Sequence, residues 1–221
     1  MNRLYILVEG PTEERFVKDV LSAYFLNKGI YITPIIISNK ILDSGTKFKG
    51  GNVTFNKVIH ECKKLLNSGY TTTLLDYYGI DTKFKGYKES LDVKELKGKK
   101  DILEKGLADE IKNKKFIPNI QMHEFESLLF SNIDEFQWIE EDKDKIIALK
   151  SEISGFETPE HVNNSKITAP SKRILKHYPE YNKVLDGINI AQEIGIEKMM
   201  VECPLFRGWI EEIEKVMGEI K

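Results

Sequence analysis

The feature that most constrains the fold is a short, fully apolar run near the N-terminus, Leu-Tyr-Ile-Leu-Val at residues 4–8. A run without polar alternation is typical of a central strand that is buried on both faces of its sheet. It is followed by Glu9, and the pair Gly10-Pro11 then suits a tight turn into the first turn of a helix. The sequence therefore predicts a buried strand that passes directly into a helix, with a carboxylate at the junction.

Strand and helix signals alternate along the first 130 residues. Apolar residues at helical spacing predict helices within 11–29, 55–66, 101–113 and 124–130, and β-rich runs predict strands at 30–37, 70–75 and 116–122. The polar stretches 38–51 and 80–100 are predicted to be loops, the second of them mobile. Such alternation is typical of a parallel sheet. We predict an α/β fold in two parts: a parallel sheet flanked by helices over residues 1–130, and a mainly helical C-terminal extension packed on it over residues 131–221.

The composition excludes several classes of protein. No run approaches the ~20 apolar residues of a membrane-spanning helix, and residues 1–9 lack the long apolar stretch and cleavage site of a signal peptide. Two cysteines, Cys62 and Cys203, cannot supply a disulfide framework or a zinc site by themselves. These observations indicate a cytoplasmic protein that does not insert into a membrane.

The charge is balanced overall but uneven along the chain. The 33 basic and 35 acidic residues leave a net charge of −2, which argues against nucleic-acid binding by bulk charge alone. Residues 82–118, hereafter the basic segment, hold eleven lysines and seven acidic residues, whereas residues 134–161 hold nine acidic residues and three lysines. Both stretches are interpreted as solvent-exposed surfaces. Alternatively, the basic segment faces a polyanion.

Acidic residues follow three of the predicted strands. Glu9 ends the first strand, Asp76 follows the third, and Glu124 and Glu126 follow the fourth. Because the carboxyl ends of parallel strands meet at one edge of a sheet, we expect these carboxylates to converge. Converging carboxylates repel one another unless a cation or a proton intervenes, and oxygen ligands favour Mg²⁺ or Mn²⁺ over zinc. The pattern therefore predicts a divalent-metal site, although an unrelated set of helix-capping acids would give a similar sequence.

Two residues beside these acids have more than one interpretation. Glu13, in the first turn of the predicted helix, either complements the helix dipole or completes the metal site. His123 either bonds a neighbouring carboxylate or serves as a metal ligand or proton shuttle.

The junction after the first strand resembles the opening motif of Toprim (topoisomerase–primase) domains. Residues 8–13 read Val-Glu-Gly-Pro-Thr-Glu, and the form Glu-Gly-x-Thr-Glu is similar to that of the overcoming-lysogenization-defect nucleases. In that superfamily the first Glu ends strand one and an Asp-x-Asp motif ends a later strand, where residues 76–79 of this chain read Asp-Tyr-Tyr-Gly. The resemblance implies a Toprim-like fold and a metal-dependent nuclease centre. Tyr78 replaces the second Asp, so that ligand is either missing or supplied by another acid: Asp81, Glu124 or Glu126.

Over nearly its full length the chain also resembles an uncharacterised bacterial domain-of-unknown-function family. The resemblance rests on four motifs in combination: Leu-Tyr-Ile-Leu-Val-Glu-Gly at 4–10, Asp-Tyr-Tyr-Gly at 76–79, His-Glu-Phe-Glu-Ser-Leu-Leu-Phe at 123–130 and Pro-Ser-Lys-Arg-Ile at 170–174. Members of such families are often encoded beside an ATPase, in loci that are thought to serve phage defence. The resemblance therefore implies an ATPase partner.

The last of these motifs carries positive charge. A helix that begins at Pro170 or Ser171 would offer free backbone N–H groups beside Lys172 and Arg173, a combination that suits a phosphate. By the resemblance, Lys172 is the candidate for the lysine that stabilises transition-state charge in the related nucleases. A basic pair on a solvated helix face would give the same pattern.

The sequence thus predicts a Mg²⁺- or Mn²⁺-dependent enzyme that cleaves phosphodiester bonds in nucleic acid, either DNA or RNA. The predicted metal ligands are Glu9, Glu13, Asp76, Glu124 and Glu126, and the predicted catalytic residues are Glu9, Asp76 and Lys172. One alternative is a metal enzyme that handles nucleotides. The other is a non-catalytic Toprim-like protein that docks an ATPase through apolar residues of its C-terminal half: Ile188, Ile190, Ile194, Met199, Met200, Val201 and Trp209.

Overall fold

A parallel sheet forms the centre of the structure, a computed structural model that describes residues 2–37, 53–163 and 165–218. Within these ranges the strands are β1 (Asn2–Val8), β2 (Ile30–Ile36), β3 (Tyr70–Leu74) and β4 (Phe116–Ile117). They lie in the order β2-β1-β3-β4, and every neighbouring pair is parallel. The prediction of an α/β fold with a parallel sheet is confirmed.

Helices connect the strands and form most of the C-terminal half. The α-helices are α1 (Pro11–Phe16), α2 (Ser22–Leu26), α3 (Phe55–Leu65), α4 (Tyr87–Leu91), α5 (Leu96–Ile111), α6 (Lys143–Ile153), α7 (Pro170–His177), α8 (Asp186–Ile194), α9 (Ile196–Glu202) and α10 (Pro204–Gly218). A π-helical stretch, Val17–Leu21, joins α1 to α2, and 3₁₀ helices lie at Phe125–Ser131, Ile133–Trp138, Pro159–His161 and Lys166–Thr168. Within the described ranges, no helix combines the length and the apolar character needed to cross a bilayer.

The apolar run of β1 is buried on both faces of the sheet, as its sequence predicts. Leu4, Ile6 and Val8 belong to a core cluster that includes residues of α1, α2 and α8 to α10. Leu7 points the other way and belongs to a second cluster with residues of α3 and α5. The sheet therefore lies between two helical layers, and alternate side chains of one strand belong to different cores.

The C-terminal helices pack directly on the sheet. Trp209 of α10 donates its Nε1–H to the hydroxyl of Thr72 in β3 at 2.9 Å, and both groups are buried. The buried carboxylate of Glu160 accepts the backbone N–H groups of Leu205 and Phe206 at 2.8 Å each, which caps the N-terminus of α10. Buried residues of both predicted parts of the chain thus share one core.

The prediction of a loop over residues 80–100 is wrong in part, because that stretch contains α4 and the first turn of α5. Its lysines and glycines suggested a loop, but Lys100 is buried rather than solvated. The Lys100 ammonium pairs with Glu104 at 2.5 Å and donates to the carbonyl of Ile120 at 2.8 Å. Gly86 takes a φ of 87° and thereby permits the turn before α4. The loop predicted at 38–51 lies outside the described residues.

The predicted strand at 116–122 is shorter than expected. It ends at Ile117, because side-chain bonds replace the ladder at Asn119: the Asn119 side-chain amide donates to the carbonyl of Thr73 at 2.9 Å, and the Asn119 backbone N–H donates to the Thr73 hydroxyl at 3.1 Å. The chain returns to the sheet at Gln121, which bridges to Asp76 in parallel pairing. This return brings the following residues, which include Glu126, beside the carboxyl end of β3.

Candidate functional site

Four carboxylates from separate parts of the chain lie together beyond the carboxyl ends of β1 and β3. Glu9, Glu13, Asp76 and Glu126 are hereafter the acidic cluster. Glu126 is 0% exposed, Glu13 5% and Asp76 7%, whereas Glu9 is half-buried. At this edge of the sheet the structure brings together acids that follow different strands, as we expected from the sequence.

Glu9 is held against the turn that follows β3. Its Oε1 accepts the backbone N–H of Asp76 at 2.9 Å. A side chain at position 79 would overlap the Glu9 carboxylate, so the close approach requires Gly79. The last residue of the Asp-Tyr-Tyr-Gly motif is thus explained by the position of Glu9.

Glu13 serves the turn between β1 and α1. Its Oε2 accepts the backbone N–H of Gly10 at 3.0 Å, which satisfies one of the free donors at the start of the helix. The negative charge of Glu13 also raises the pKa values of Glu9 and Asp76. Glu13 therefore serves the start of the helix and also lies within the acidic cluster, while its role as a metal ligand stays a prediction.

Asp76 and Glu126 carry buried oxygens that no hydrogen bond satisfies within the described residues. These are Asp76 Oδ1 and both carboxylate oxygens of Glu126, and the buried hydroxyl of Tyr181 shares the condition. A buried anionic oxygen is costly unless a cation, a proton or a donor compensates it. The cluster therefore has an unmet requirement for positive charge.

One cation of the chain already partly meets that requirement. Lys183 lies in the loop between α7 and α8, and its Nζ is 3.0 Å from Glu126 Oε2. This ion pair compensates Oε2 of Glu126, whereas Asp76 Oδ1 and Glu126 Oε1 have no ionic partner within the described residues. Burial lowers the pKa of Lys183. The negative charges of the nearby carboxylates outweigh this effect and raise the pKa above its ordinary value; they belong to Glu126, Asp76 and Glu13.

The pKa values of the cluster are raised for a common reason. Burial, followed by the charge of Glu13, raises the pKa of Glu9 from 4.5 to about 8. Burial likewise raises the pKa of Glu126 to about 7, although Lys183 opposes the shift. Burial raises the pKa of Asp76 well above its usual value, and the neighbouring carboxylates add to the effect. At neutral pH the cluster therefore holds protons that solvent-exposed carboxylates would release.

The acidic cluster is not a preformed metal cage. Within the described ranges, no three His, Cys, Asp or Glu side chains have the spacing of metal ligands around one point. Glu9 and Glu13 are turned onto backbone amides, and Glu126 is turned toward Lys183. A metal ion would require these side chains to change rotamer.

Other acids predicted for the site are directed elsewhere. Glu124 Oε2 accepts the backbone N–H of Ser171 at 3.0 Å and so caps α7. Asp81 accepts the backbone N–H of Lys83 at 2.8 Å within its own turn. Of the three acids considered as the substitute for the missing second Asp, Glu126 is therefore the one placed in the cluster.

The basic pair of the Pro-Ser-Lys-Arg-Ile motif is divided between surface and interior. Lys172 is exposed. The Arg173 side chain is 8% exposed, with Nη1 at 2.9 Å from Glu152 Oε1 and Nε donating to the carbonyl of Thr168 at 3.0 Å. The guanidinium of Arg173 thus ties α7 to α6, and only Lys172 faces solvent.

His123 is buried, and its contacts are with Asn163, Tyr77 and Tyr78 rather than with a carboxylate of the cluster. Its Nδ1 accepts a hydrogen bond from the side-chain amide of Asn163 at 3.0 Å, and its φ of 64° is unusual for a residue with a side chain. Burial, followed by the charges of His161 and Lys99, lowers the pKa of His123 to about 4. The imidazole is therefore neutral at physiological pH.

Lys183 is the residue of this site that sequence reasoning missed. It follows Glu180, Tyr181 and Asn182 in a polar stretch without a recognisable motif, and its distance from every strand end conceals it. The acids were found because they follow strands. A residue supplied by a loop between two C-terminal helices gives no comparable signal.

A comparison with known protein families assigns the chain to one of them. The family described as "Domain of unknown function (DUF4276)" matches residues 8–214. The chain belongs to the DUF4276 family. The matched region of this DUF4276 member contains the whole acidic cluster and Lys183. No match was found among curated proteins or among solved structures. The predicted membership of a domain-of-unknown-function family is confirmed, and the relation to Toprim domains stays a prediction.

Proposed function

We propose that this DUF4276 protein is a Mg²⁺- or Mn²⁺-dependent phosphodiesterase that acts on nucleic acid, with the acidic cluster as its metal centre. The observation that carries the proposal is the pair of buried carboxylate oxygens, Asp76 Oδ1 and Glu126 Oε1, that have neither a hydrogen-bond partner nor an ionic partner among the described residues. They lie at the carboxyl edge of a parallel sheet, where ligands of α/β proteins bind.

The chemistry of the donor set suits a hard divalent cation. The cluster offers carboxylate oxygens only, which favours Mg²⁺ or Mn²⁺ over zinc. Asp76 and Glu126 have the unsatisfied oxygens, and Glu9 is bonded to the backbone of Asp76 in the turn after β3. A bound divalent ion would polarise a phosphate and lower the pKa of a water molecule. Glu13, which holds the Gly10 amide, would fix the start of α1 beside it.

The exposed lysines of the basic segment support a phosphate-containing substrate. In the basic segment, Lys83, Lys88 and Lys94 are exposed, and Lys99 is close enough to lower the pKa of His123. Exposed lysines raise the local concentration of a polyanion and speed its arrival. Lys172, exposed at the start of α7, is the proposed contact for a substrate phosphate.

The Toprim-like relation is part of the same proposal. It is supported by the Val-Glu-Gly-Pro-Thr-Glu motif at 8–13, which follows β1 and enters α1 as a Toprim motif would, and by the parallel sheet. An adjacent ATPase and a role in phage defence belong to this proposal too. The apolar face predicted to dock such an ATPase is largely core, since Ile188, Ile190, Ile194, Met199 and Trp209 are buried. A partner would find exposed apolar side chains at Trp138, Ile147 and Val201 instead.

The test is cleavage of defined DNA and RNA by the purified protein with Mg²⁺ or Mn²⁺. Cleavage should need the metal and should be lost in Glu9→Gln and in Asp76→Asn. Glu14→Gln is the matched control, because Glu14 lies in the first turn of α1, close to Glu9 in sequence, but pairs with Lys18 at 2.7 Å. Cleavage that survives both cluster substitutions would refute the assignment. Metal-dependent hydrolysis of nucleotides, with both polymers left intact, would favour the nucleotide-handling alternative.

A further inference from the structure

Lys183 occupies the position of a cation within the acidic cluster. Its ammonium lies 3.0 Å from a carboxylate oxygen of Glu126, and the charges of Asp76 and Glu13 act on it as well. Glu126 is completely buried, whereas the Lys183 side chain is 38% exposed. The lysine thus reaches from the surface into the cluster, with its charged end against the innermost acid.

The contact compensates the cluster only in part. One ammonium group faces several carboxylates, and Asp76 Oδ1 and Glu126 Oε1 have neither a hydrogen bond nor an ionic partner within the described residues. A divalent ion would bring twice the charge and would accept several oxygen ligands at once. With the metal bound, the ammonium of Lys183 would face a nearby divalent charge, and the repulsion between the two cations would weaken its hold on Glu126.

The side chain of Lys183 can leave without a change in the fold. The loop that carries it is fixed through Asn182, whose Oδ1 accepts the backbone N–H groups of Val184 and Leu185 at 3.0 Å each. Asp186 in turn accepts the backbone N–H of Asn182 at 2.7 Å. Because the backbone is held and the lysine stem is partly exposed, rotation of the side chain alone would take the ammonium into solvent.

We propose that Lys183 is a resident cation of the acidic cluster and that a divalent metal ion displaces it on binding. The inference rests on the proposed metal centre and adds a step to it. Lys183 holds the buried acids together until the metal arrives, and it competes with the metal for Glu126. Once displaced, its ammonium lies beside the cluster at the surface, where a phosphate would approach.

Metal affinity is the first test. Mn²⁺ is titrated into wild-type protein, Lys183→Gln, Lys183→Arg and the control Lys143→Gln by calorimetry at pH 8. Lys143 is exposed at the start of α6, so its substitution makes the same charge change on another surface. Removal of the competing cation should tighten Mn²⁺ binding at least tenfold in Lys183→Gln, whereas Lys183→Arg and Lys143→Gln should stay near the wild-type value.

Asp76→Asn separates this inference from the proposed function. Mn²⁺ binding that Asp76→Asn abolishes, but that is unchanged or weaker in Lys183→Gln, would overturn the displacement and leave the metal centre intact. Absence of Mn²⁺ binding in both wild-type protein and Lys183→Gln would contradict the metal centre itself.

A second measurement needs no variant, in case Lys183→Gln does not fold without metal. Wild-type protein is treated briefly with acetic anhydride, with and without Mg²⁺, and the labelled lysines are quantified by mass spectrometry. Acetylation of Lys183 should increase several-fold with Mg²⁺, while acetylation of Lys143 stays constant. Unchanged labelling of Lys183 under conditions in which calorimetry shows the metal to be bound would overturn the proposal.

Discussion

Glu9 and Asp76 are joined across 67 residues of sequence, because Oε1 of Glu9 accepts the backbone N–H of Asp76 at 2.9 Å. The bond links the end of β1 to the turn after β3. The carboxylate of Glu9 is therefore positioned by the backbone of Asp76, which carries another carboxylate of the cluster. The Glu9 carboxylate also lies against Gly79, where a side chain would overlap it.

Glu9→Gln tests the charge at this position with little change in shape. The amide oxygen can still accept the Asp76 N–H, so we expect the fold to be preserved. Loss of the negative charge should weaken Mn²⁺ binding at least tenfold, equivalent to about 1.4 kcal/mol. Calorimetric titration measures the Mn²⁺ affinity, and Glu14→Gln is the control that should keep the wild-type affinity. Wild-type affinity in Glu9→Gln would remove Glu9 from the metal centre.

Gly79→Ala tests the close approach of Glu9 to the backbone. A methyl group at position 79 would push the Glu9 carboxylate aside and break its bond to the Asp76 N–H, so we expect a loss of about 0.5–1.5 kcal/mol in the free energy of unfolding. The displaced carboxylate should also weaken Mn²⁺ binding. Gly155→Ala is the control, since a methyl group there meets no described atom within 4 Å. Urea unfolding curves for the two variants compare them directly, and equal stabilities would contradict the packing described for Gly79.

The sequence predicted the positions of the acids better than it predicted their partners. The apolar run of β1 and the strand–helix alternation were sufficient for a parallel sheet, and a parallel sheet brings Glu9 and Asp76 to one edge. Glu124 was equally eligible by position, but it caps α7 instead. That choice depends on where α7 packs, which no local pattern in residues 123–130 records.

Burial also decides cases in which sequence patterns were ambiguous. Lysine and glycine between 80 and 100 suggested a loop, whereas Lys100 is buried in α5 and holds the chain near Ile120. Arg173 and Lys172 looked equivalent in sequence, yet one is tied to Glu152 and the other is exposed. Propensity and periodicity describe an isolated segment, whereas these outcomes depend on contacts between distant segments.

The raised pKa values predict how stability depends on pH in the absence of metal. Glu9 and Glu126, with pKa values of about 8 and 7, keep protons in the folded protein that the unfolded chain releases near pH 4.5. Folded protein then binds more protons than unfolded protein, so stability falls as pH rises through this window. His123, with a pKa lowered to about 4, has the opposite effect, but only below about pH 6.5.

Between pH 6.5 and 8 the carboxylates therefore dominate. We expect the melting temperature to fall by about 2–10 °C over this range in the presence of a chelator, which corresponds to about 1–3 kcal/mol. The fall should be smaller in Glu9→Gln, which has one titrating group fewer, and smaller again with Mg²⁺, which stabilises the ionised carboxylates. Differential scanning calorimetry measures the trend. A melting temperature that rises from pH 6.5 to 8 without metal would contradict the raised pKa values.

Substitution by glutamine should destabilise the protein at Arg173 but should leave its stability almost unchanged at Lys172. Arg173→Gln leaves Glu152 with Lys176 and His177 as its partners and removes a bond to the Thr168 carbonyl. We expect it to lower the free energy of unfolding by about 1–3 kcal/mol. Lys172→Gln changes an exposed side chain and should alter stability by less than about 0.5 kcal/mol.

Binding of nucleic acid separates the two residues further. If Lys172 contacts a substrate phosphate, Lys172→Gln should weaken binding to a labelled oligonucleotide several-fold and should reduce the dependence of binding on salt. Folded Arg173→Gln should bind as the wild-type protein does, because its guanidinium is directed at Glu152. Fluorescence anisotropy at two salt concentrations measures both variants. Weaker binding in folded Arg173→Gln, with Lys172→Gln unaffected, would reverse the roles given to the two side chains.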